Sequence, residues 1–77
     1  METKVLSYRV RLRKEPEGGY TVTVPSLPGC VTYGETVDEA LKMAREAIEL
    51  YIQILKEDAA DIPHEDETLE YTLAIQT

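Results

Sequence analysis

Hydrophobic and polar residues alternate along the beginning of the chain. Within Lys4–Lys14 an apolar side chain stands at every second position, and arginines fill most of the positions between. A period of two is typical of a half-buried β-strand. The alternation returns in Tyr20–Val24, and Pro16–Gly19 between the two segments has the composition of a tight turn. The pattern therefore predicts two strands joined as an antiparallel hairpin.

Two prolines interrupt this pattern. Pro25–Gly29 cannot continue a strand, because proline lacks an amide proton and restricts the residue before it. The β-prone segment Cys30–Tyr33 predicts a short third strand. Near the end of the chain, Leu69–Ile75 alternates between apolar and polar residues again. It predicts a last strand.

A long helix is predicted between the third and last strands. Thr36 and Glu39 fit a capping box at its start, and the helical spacing of apolar residues continues to about Lys56. The apolar arc is about 200° wide, where a helix lying on one sheet needs about 100°. The excess forms a second stripe that should meet a second copy, a partner protein or a folded-back C-terminal segment. This stripe is made of Met43, Ala47, Leu50 and Ile54.

The order of the elements predicts an α+β fold of the type β-β-β-α-β in one domain, residues 1–77. A strand that follows a crossover helix usually lies parallel to an earlier strand. The simplest sheet has the order 3-2-1-4, with the one long helix packed on one face. Three antiparallel strands, a helix and a parallel strand resemble the beginning of the ribonuclease H fold.

Composition limits the classes of function. The 77 residues carry a net charge of −7 and a pI near 4.5, which argues against nucleic acid as the main ligand and permits a basic protein partner. No apolar run approaches the roughly 18 residues that span a bilayer, and the N-terminus does not resemble a signal peptide. A single cysteine suits a reducing compartment. We expect a cytoplasmic protein that does not bind membranes.

The sequence offers little to catalysis. A two-metal nuclease needs carboxylates that converge on the metal ions, and the first strand has none between Glu2 and Glu15. Cys30 and His64 are separated by the whole helix and do not suggest a catalytic or zinc-binding pair. We expect Cys30 in the core and His64 on the surface. The prediction is a protein without enzymatic activity, metal or cofactor.

Two charged segments leave alternatives open. Arg9, Arg11 and Arg13 share one strand face, where they could contact RNA or simply meet Glu70 across the sheet. The acidic segment Glu57–Glu67 could be a solvated loop or could attract a cationic partner.

Several short motifs occur in a specific order. They are Gly18-Gly19-Tyr20, Leu27-Pro28-Gly29-Cys30 and Gly34-Glu35-Thr36-Val37-Asp38-Glu39-Ala40, followed by Arg45–Tyr51 and Asp61-Ile62-Pro63. In this order and spacing the chain resembles the HicB family of antitoxins over about residues 5–75.

The resemblance implies a partial ribonuclease H-like fold and an antitoxin role in a type II toxin–antitoxin system. The partner would be a HicA-like ribonuclease toxin, which the antitoxin binds and masks. The residues expected to contact it are Pro25, Ser26, Leu27, Pro28 and Tyr33. The same motif residues could instead serve turns and the helix cap. The stripe Met43, Ala47, Leu50 and Ile54 is the expected interface of a homodimer or tetramer.

The end of the chain separates two functional hypotheses. Many family members continue into a DNA-binding segment, whereas this sequence stops at Thr77 after the last predicted strand. We therefore expect a short form that does not bind DNA. The alternative to an antitoxin is a stand-alone interaction or regulatory domain of the same fold, with neither toxin nor enzymatic activity.

Overall fold

Among the residues that the structure describes, three short antiparallel strands and one long helix make up the regular structure. The structure is a computed structural model that describes residues 5–65 and 68–77. The strands are β1 (Arg11–Lys14), β2 (Tyr20–Thr23) and β3 (Val31–Gly34), and the helix α1 is Val37–Glu57. The sheet order is β1-β2-β3 with antiparallel pairing throughout. The predicted α+β class, hairpin, third strand and long helix are confirmed.

Glycines shape the hairpin turn. Arg11 pairs with Thr23 at one end of the ladder and Lys14 pairs with Tyr20 at the other. Gly18 (φ 108°) and Gly19 (φ 80°) both occupy the region that favours glycine. A side chain at Gly19 would also collide with the ring of Tyr33, whose hydroxyl donates to the Gly18 carbonyl at 3.1 Å. The turn and β3 therefore fix each other.

The first strand is shorter than its alternation predicts. Residues 5–10 keep alternating exposure, with Leu6, Tyr8 and Val10 half-buried, but they are not a strand. The ladder opposite them ends because β2 runs into Pro25 just after Thr23, and proline offers no amide proton for pairing. Alternation therefore showed which face is buried but not how far the ladder extends.

The helix begins at the predicted cap. Thr36 has an extended backbone, and its hydroxyl accepts from the Glu39 amide at 3.1 Å. The Glu39 carboxylate accepts from the amide of Glu35 at 3.2 Å, one residue before the position that a capping box uses. Asp38 and Glu39 also lie at the positive end of the helix dipole. Side-chain and charge interactions together fix the first turn.

The core lies between the sheet and the helix in two adjoining clusters. In the first, Val22 of β2 meets Ala40 and Ala44 of α1, and all three are at most 2% exposed. Small residues on the helix let it approach the sheet closely. In the second, Val24, Leu27 and Cys30 pack against the half-buried side chains Tyr8, Val10, Ala47, Ile48 and Tyr51. Cys30 is a buried free thiol, as predicted.

The predicted fourth strand is absent from this structure. Residues 68–77 form no strand, and the side chains Leu69, Tyr71, Leu73 and Ile75 are 75–81% exposed. A strand is stabilised by a neighbouring ladder, and the chain itself does not place this segment in one. The observed order is therefore 3-2-1 without the predicted fourth member. Within the two described stretches, no helix has the length and apolar character to cross a membrane.

Candidate partner-binding surface

The loop after β2 is a compact, internally bonded turn. The Val24 amide donates to the Cys30 carbonyl at 3.1 Å, and the Cys30 amide donates to the Leu27 carbonyl at 2.9 Å. A third bond runs from the Leu27 amide to the Val24 carbonyl at 3.0 Å. Leu27 points fully into the core, with 0% of its surface exposed. The loop is thus held from within and presents Pro25, Pro28 and Gly29 outward.

The helix secures the other side of this loop. The Tyr51 hydroxyl donates to the Pro28 carbonyl at 2.8 Å. Beside this bond lies a shallow depression of about 190 Å³ whose lining is mostly apolar. We call it the loop–helix surface, and it is lined by Gly29, Cys30, Val31, Ala47, Leu50, Tyr51 and Ile54.

The loop–helix surface exposes large apolar side chains. Val31 is 59% exposed, Leu50 57% and Ile54 48%. An exposed apolar cluster of this kind marks an interaction site more often than an isolated apolar residue does. Glu46 lies one helical turn before Leu50, and Glu57 lies three residues after Ile54, so helical geometry places both acids beside the apolar centre. An apolar patch bordered by acids suits a partner that is apolar and basic.

The structure separates the residues predicted to contact a toxin. Pro25, Ser26 and Pro28 lie together on the loop, with Ser26 half-buried. Leu27 supports the loop from the core and has no exposed surface to offer a partner. Tyr33 projects from the sheet face opposite Val22, because alternate residues of β3 face opposite ways and Thr32 pairs with Val22. Tyr33 therefore lies on a different surface from the loop residues, and its contact with a toxin stays a prediction.

The second helix stripe joins the loop in a single surface. Leu50 and Ile54 are exposed, whereas Met43 and Ala47 are half-buried. The loop and the stripe were predicted for two different partners, a toxin and a second copy. Ala47, Leu50 and Ile54 line the same depression as Gly29, the residue after the predicted toxin contact Pro28, so the two predicted surfaces adjoin.

Burial and neighbouring charges determine the ionisation of the groups near this surface. Burial raises the pKa of the Cys30 thiol, so the group is not activated as a nucleophile. Among residues 5–65 and 68–77, no three His, Cys, Asp or Glu side chains come together as a metal site would require. Around Tyr33, burial and then the nearby carboxylates of Glu35, Glu39 and Glu15 raise the phenol's pKa. That corner of the molecule is therefore also electronegative.

The basic strand face is partly neutralised by the chain itself. The Arg9 guanidinium lies 3.3 Å from the Glu65 carboxylate, and the Arg11 guanidinium lies 3.9 Å from that of Glu70. The predicted contact between this face and Glu70 is thus present for Arg11. Arg9 is held further by its backbone amide, which donates to both Glu65 oxygens at 3.0 and 2.9 Å.

Two contributors to the loop–helix surface were not identified from the sequence. Tyr51 lies on the apolar side of the helix, and a phenol that is partly buried there usually needs a hydrogen-bond partner. That requirement was the signal available in the sequence. Val31 begins a short strand, and the sequence of that strand did not indicate whether the Val31 side chain is exposed or buried. Only its position beside the helix end makes it part of the surface.

Comparisons with known proteins agree on one family. A family model described as the HicB_like antitoxin of bacterial toxin–antitoxin systems matches residues 8–76. UPF0150 protein Ta0767 of Thermoplasma acidophilum is 44% identical over 61 residues, which cover 79% of this chain and 88% of the relative. Antitoxin HicB of Escherichia coli K12 is 40% identical over 58 residues, which cover 75% of this chain and 42% of the relative.

A solved structure supports the likeness at the level of the fold. The crystal structure of the Burkholderia pseudomallei antitoxin HicB matches with a TM-score of 0.68 and 32% sequence identity. The match covers 92% of this chain and 48% of that protein. The chain therefore spans about half of this antitoxin and less than half of the Escherichia coli one.

Proposed function

Because the chain belongs to the HicB-like antitoxin family, we propose that it binds a HicA-like ribonuclease toxin and masks its active site. The observation that carries the proposal is the loop–helix surface, where Val31, Leu50 and Ile54 are about half exposed beside acidic residues. An RNA-degrading protein needs cationic groups to hold phosphates, and acids around an apolar centre complement such groups.

The loop gives this surface a fixed shape. Its three internal hydrogen bonds and the Tyr51–Pro28 bond hold Pro25, Ser26 and Pro28 in place before any partner arrives. A preformed loop loses little conformational freedom on binding, which favours affinity. We therefore assign Pro25, Ser26 and Pro28 to the rim of the toxin-binding surface, and Leu50 and Ile54 to its centre.

The proposal involves no catalysis and no direct contact with nucleic acid. The arginine face, for which an RNA contact was one alternative, already forms ion pairs through Arg9 and Arg11. The buried free thiol of Cys30 suits a reducing compartment, and the proposal places the protein in the cytoplasm. Its role is to occupy a protein surface.

Co-expression with a HicA-like toxin tests the proposal. The chain should relieve growth arrest and purify together with the toxin. Leu50→Glu should weaken toxin binding by about 30-fold or more, because a buried hot spot contributes roughly 2 kcal/mol. Val5→Glu is the matched control, since Val5 is 83% exposed away from the surface, and it should leave binding unchanged.

The outcomes separate this role from the alternatives. No rescue and no co-purification would contradict the antitoxin assignment and would favour a stand-alone interaction domain. If Leu50→Glu abolished self-association but left toxin binding intact, the second stripe would be an oligomer interface, as the sequence predicted. Circular dichroism should show that both variants retain the helix content of the wild type.

A further inference from the structure

The C-terminal segment 68–77 is exposed in a pattern that usually accompanies burial. Its apolar side chains Leu69, Tyr71, Leu73 and Ile75 alternate with polar ones, yet each is at least 75% exposed. Within the described residues, no backbone hydrogen bond ties 69–77 to the rest of the chain. Extended segments with one apolar face pair readily with another strand. The segment thus resembles a strand that lacks its sheet.

An open groove of matching character lies on the other side of the molecule from the loop–helix surface. It runs between residues 6–10 and the apolar helix face that carries Leu41, Ala44, Ile48 and Ile52, which we call the first stripe of α1. Its volume is about 540 Å³. The lining is mainly apolar, and charged side chains stand at its border. The apolar lining residues are Leu6, Tyr8, Val10, Leu41, Ala44, Ile48 and Ile52.

The groove lies beside an edge of the sheet. β1 is the outer strand in the order β1-β2-β3, and residues 5–10 continue its alternation toward the N-terminus. An edge strand bordered by an apolar groove is a template for one more strand. Such a strand would present alternate side chains to the groove and the others to the open face of the sheet.

Within one chain, the C-terminal segment lies on the face of this edge that is opposite to the groove. Leu6, Tyr8 and Val10 face the groove, so Arg9 and Arg11 face away from it. Those two arginines contact the segment, through the Thr68 carbonyl at 3.4 Å and the Glu70 carboxylate at 3.9 Å. At the edge, the Arg9 amide is occupied by the side chain of Glu65. The segment therefore contacts the arginine face of its own chain without pairing with the sheet or entering the groove.

The dimensions of the molecule agree with a projecting segment. The longest extent is 49 Å against 29 and 21 Å for the others, and the radius of gyration is 14.7 Å. A compact chain of this length would have a radius of gyration of about 11 Å. Part of the chain therefore extends beyond the body formed by the sheet and helix.

We infer that two copies of this chain exchange their C-terminal segments, so that residues 68–77 of each add a fourth strand beside residues 6–10 and β1 of the other. Leu69, Tyr71, Leu73 and Ile75 then fill the groove of the second copy. Glu70 meets the arginine face of that copy, where charges are complementary. The exchange is reciprocal and closes at two chains, as a twofold interface does. It would supply the fourth position of the predicted order 3-2-1-4.

This interface is independent of the toxin-binding proposal. It uses the first stripe of α1, and it leaves Leu50 and Ile54 of the second stripe open. The dimer can therefore exist whether or not the chain binds a toxin. It also differs from the oligomer expected from sequence, which placed the second stripe at the interface.

Sedimentation equilibrium of the full chain is the first test. A dimer of 8.7 kDa chains is expected at micromolar concentration. Leu73→Glu should weaken the dimer at least tenfold, because it places a charge in the apolar groove. Thr72→Gln, one residue away on the other face of the segment, should change the dimer dissociation constant by less than about threefold. Both positions are exposed within one chain, so neither substitution should disturb folding of the body.

Mixed isotope labelling distinguishes exchange from other dimers. In a sample that combines ¹³C-labelled and unlabelled chains, intermolecular nuclear Overhauser effects should connect the methyl groups of Leu73 and Ile75 with those of Ile48 and Ile52. A monomer at all concentrations would overturn the inference. So would a dimer in which these contacts occur only within one chain, since the segment would then fold back on its own groove. A dimer sensitive to Leu50→Glu but not to Leu73→Glu would also contradict it.

Discussion

Gly34 lies where β3 turns into the helix, and no larger residue fits there. It is buried, and a Cβ atom at this position would overlap the backbone of Ala40 in the first turn of α1. The constraint is steric and comes from the close approach of strand and helix. The motif that contains Gly34 therefore has a structural explanation that does not require partner contact.

Gly34→Ala should destabilise the protein by about 2 kcal/mol, because backbone cannot move aside as a flexible side chain can. Urea denaturation followed by circular dichroism measures the change. Glu35→Ala, at the exposed neighbouring position, should cost less than about 0.5 kcal/mol. Equal stability of Gly34→Ala and the wild type would show that the helix start can shift.

Tyr8 links the segment before β1 to the loop after α1. Its hydroxyl donates to the Pro63 carbonyl at 2.6 Å. Burial, and then the Glu65 carboxylate, raise the pKa of this phenol above its ordinary value of 10.0. Because the folded pKa lies above the unfolded one, the phenol stabilises the fold fully below pH 10.0 and ceases to do so as the pH rises through the folded pKa.

Tyr8→Phe should therefore cost about 1 kcal/mol near neutral pH, and the difference from the wild type should shrink above pH 10.0. Denaturation curves for both proteins across this range provide the measurement. Tyr33 also has a raised pKa, so the comparison must be the difference between the two proteins. A pH-independent difference would mean that ionisation of Tyr8 is not coupled to folding.

At the scale of elements, α1 depends most visibly on local sequence. Its cap, its acidic first turn and its apolar period are all readable within the helix itself, and the predicted end at Lys56 lies one residue from the observed end at Glu57. Within the protein the helix then packs two small residues, Ala40 and Ala44, against Val22. Local signals set the bounds, and tertiary packing sets the face.

Thr36→Ala should remove the bond to the Glu39 amide and destabilise the protein by about 1 kcal/mol. Thr36→Ser keeps an acceptor oxygen and should retain most of the stability. The midpoint of thermal unfolding measures both variants. If alanine and serine had the same effect, the capping hydroxyl would not contribute, and the charge interactions of Asp38 and Glu39 would account for the helix start.

Elements whose partners are distant in sequence were harder to predict. The alternation in Leu69–Ile75 indicates that one face is buried, but it does not identify the surface that buries it. The first strand shows the same limit, because its ladder stops where Pro25 ends the neighbouring strand. At the site, Leu27 sits among exposed loop residues and was predicted to contact a partner, yet its side chain fills the core. Sequence pattern determines polarity locally, while burial depends on the assembled fold.

At the scale of the whole molecule, the net charge acts over longer distances than any of the contacts described above. The net charge of −7 gives the protein a negative field, and the acids beside the loop–helix surface strengthen it locally. Such fields accelerate encounters with oppositely charged partners more than they tighten the final complex. The arginine face opposes this field only weakly, because Arg9 and Arg11 are ion-paired.

The association rate constant with a basic toxin should consequently fall about tenfold between low and high salt, where screening shortens the reach of charge to about 3 Å. Stopped-flow fluorescence at several salt concentrations provides the rate. Glu46→Gln combined with Glu57→Gln should reduce this salt dependence and leave the dissociation rate nearly unchanged. A rate that is insensitive to salt would indicate that apolar contact alone controls the encounter.

The order of contacts along the chain also bears on how the protein folds. β1 packs on β2, β2 on β3, and β3 on α1, so each step joins neighbours and closes a short loop. Short loops lose little chain entropy when they close, and topologies built from them fold faster than topologies built from contacts distant in sequence. The hairpin and helix can thus form while the remaining residues are still unordered. Segment 68–77 is then free to find its final partner in a separate, slower step that depends on protein concentration.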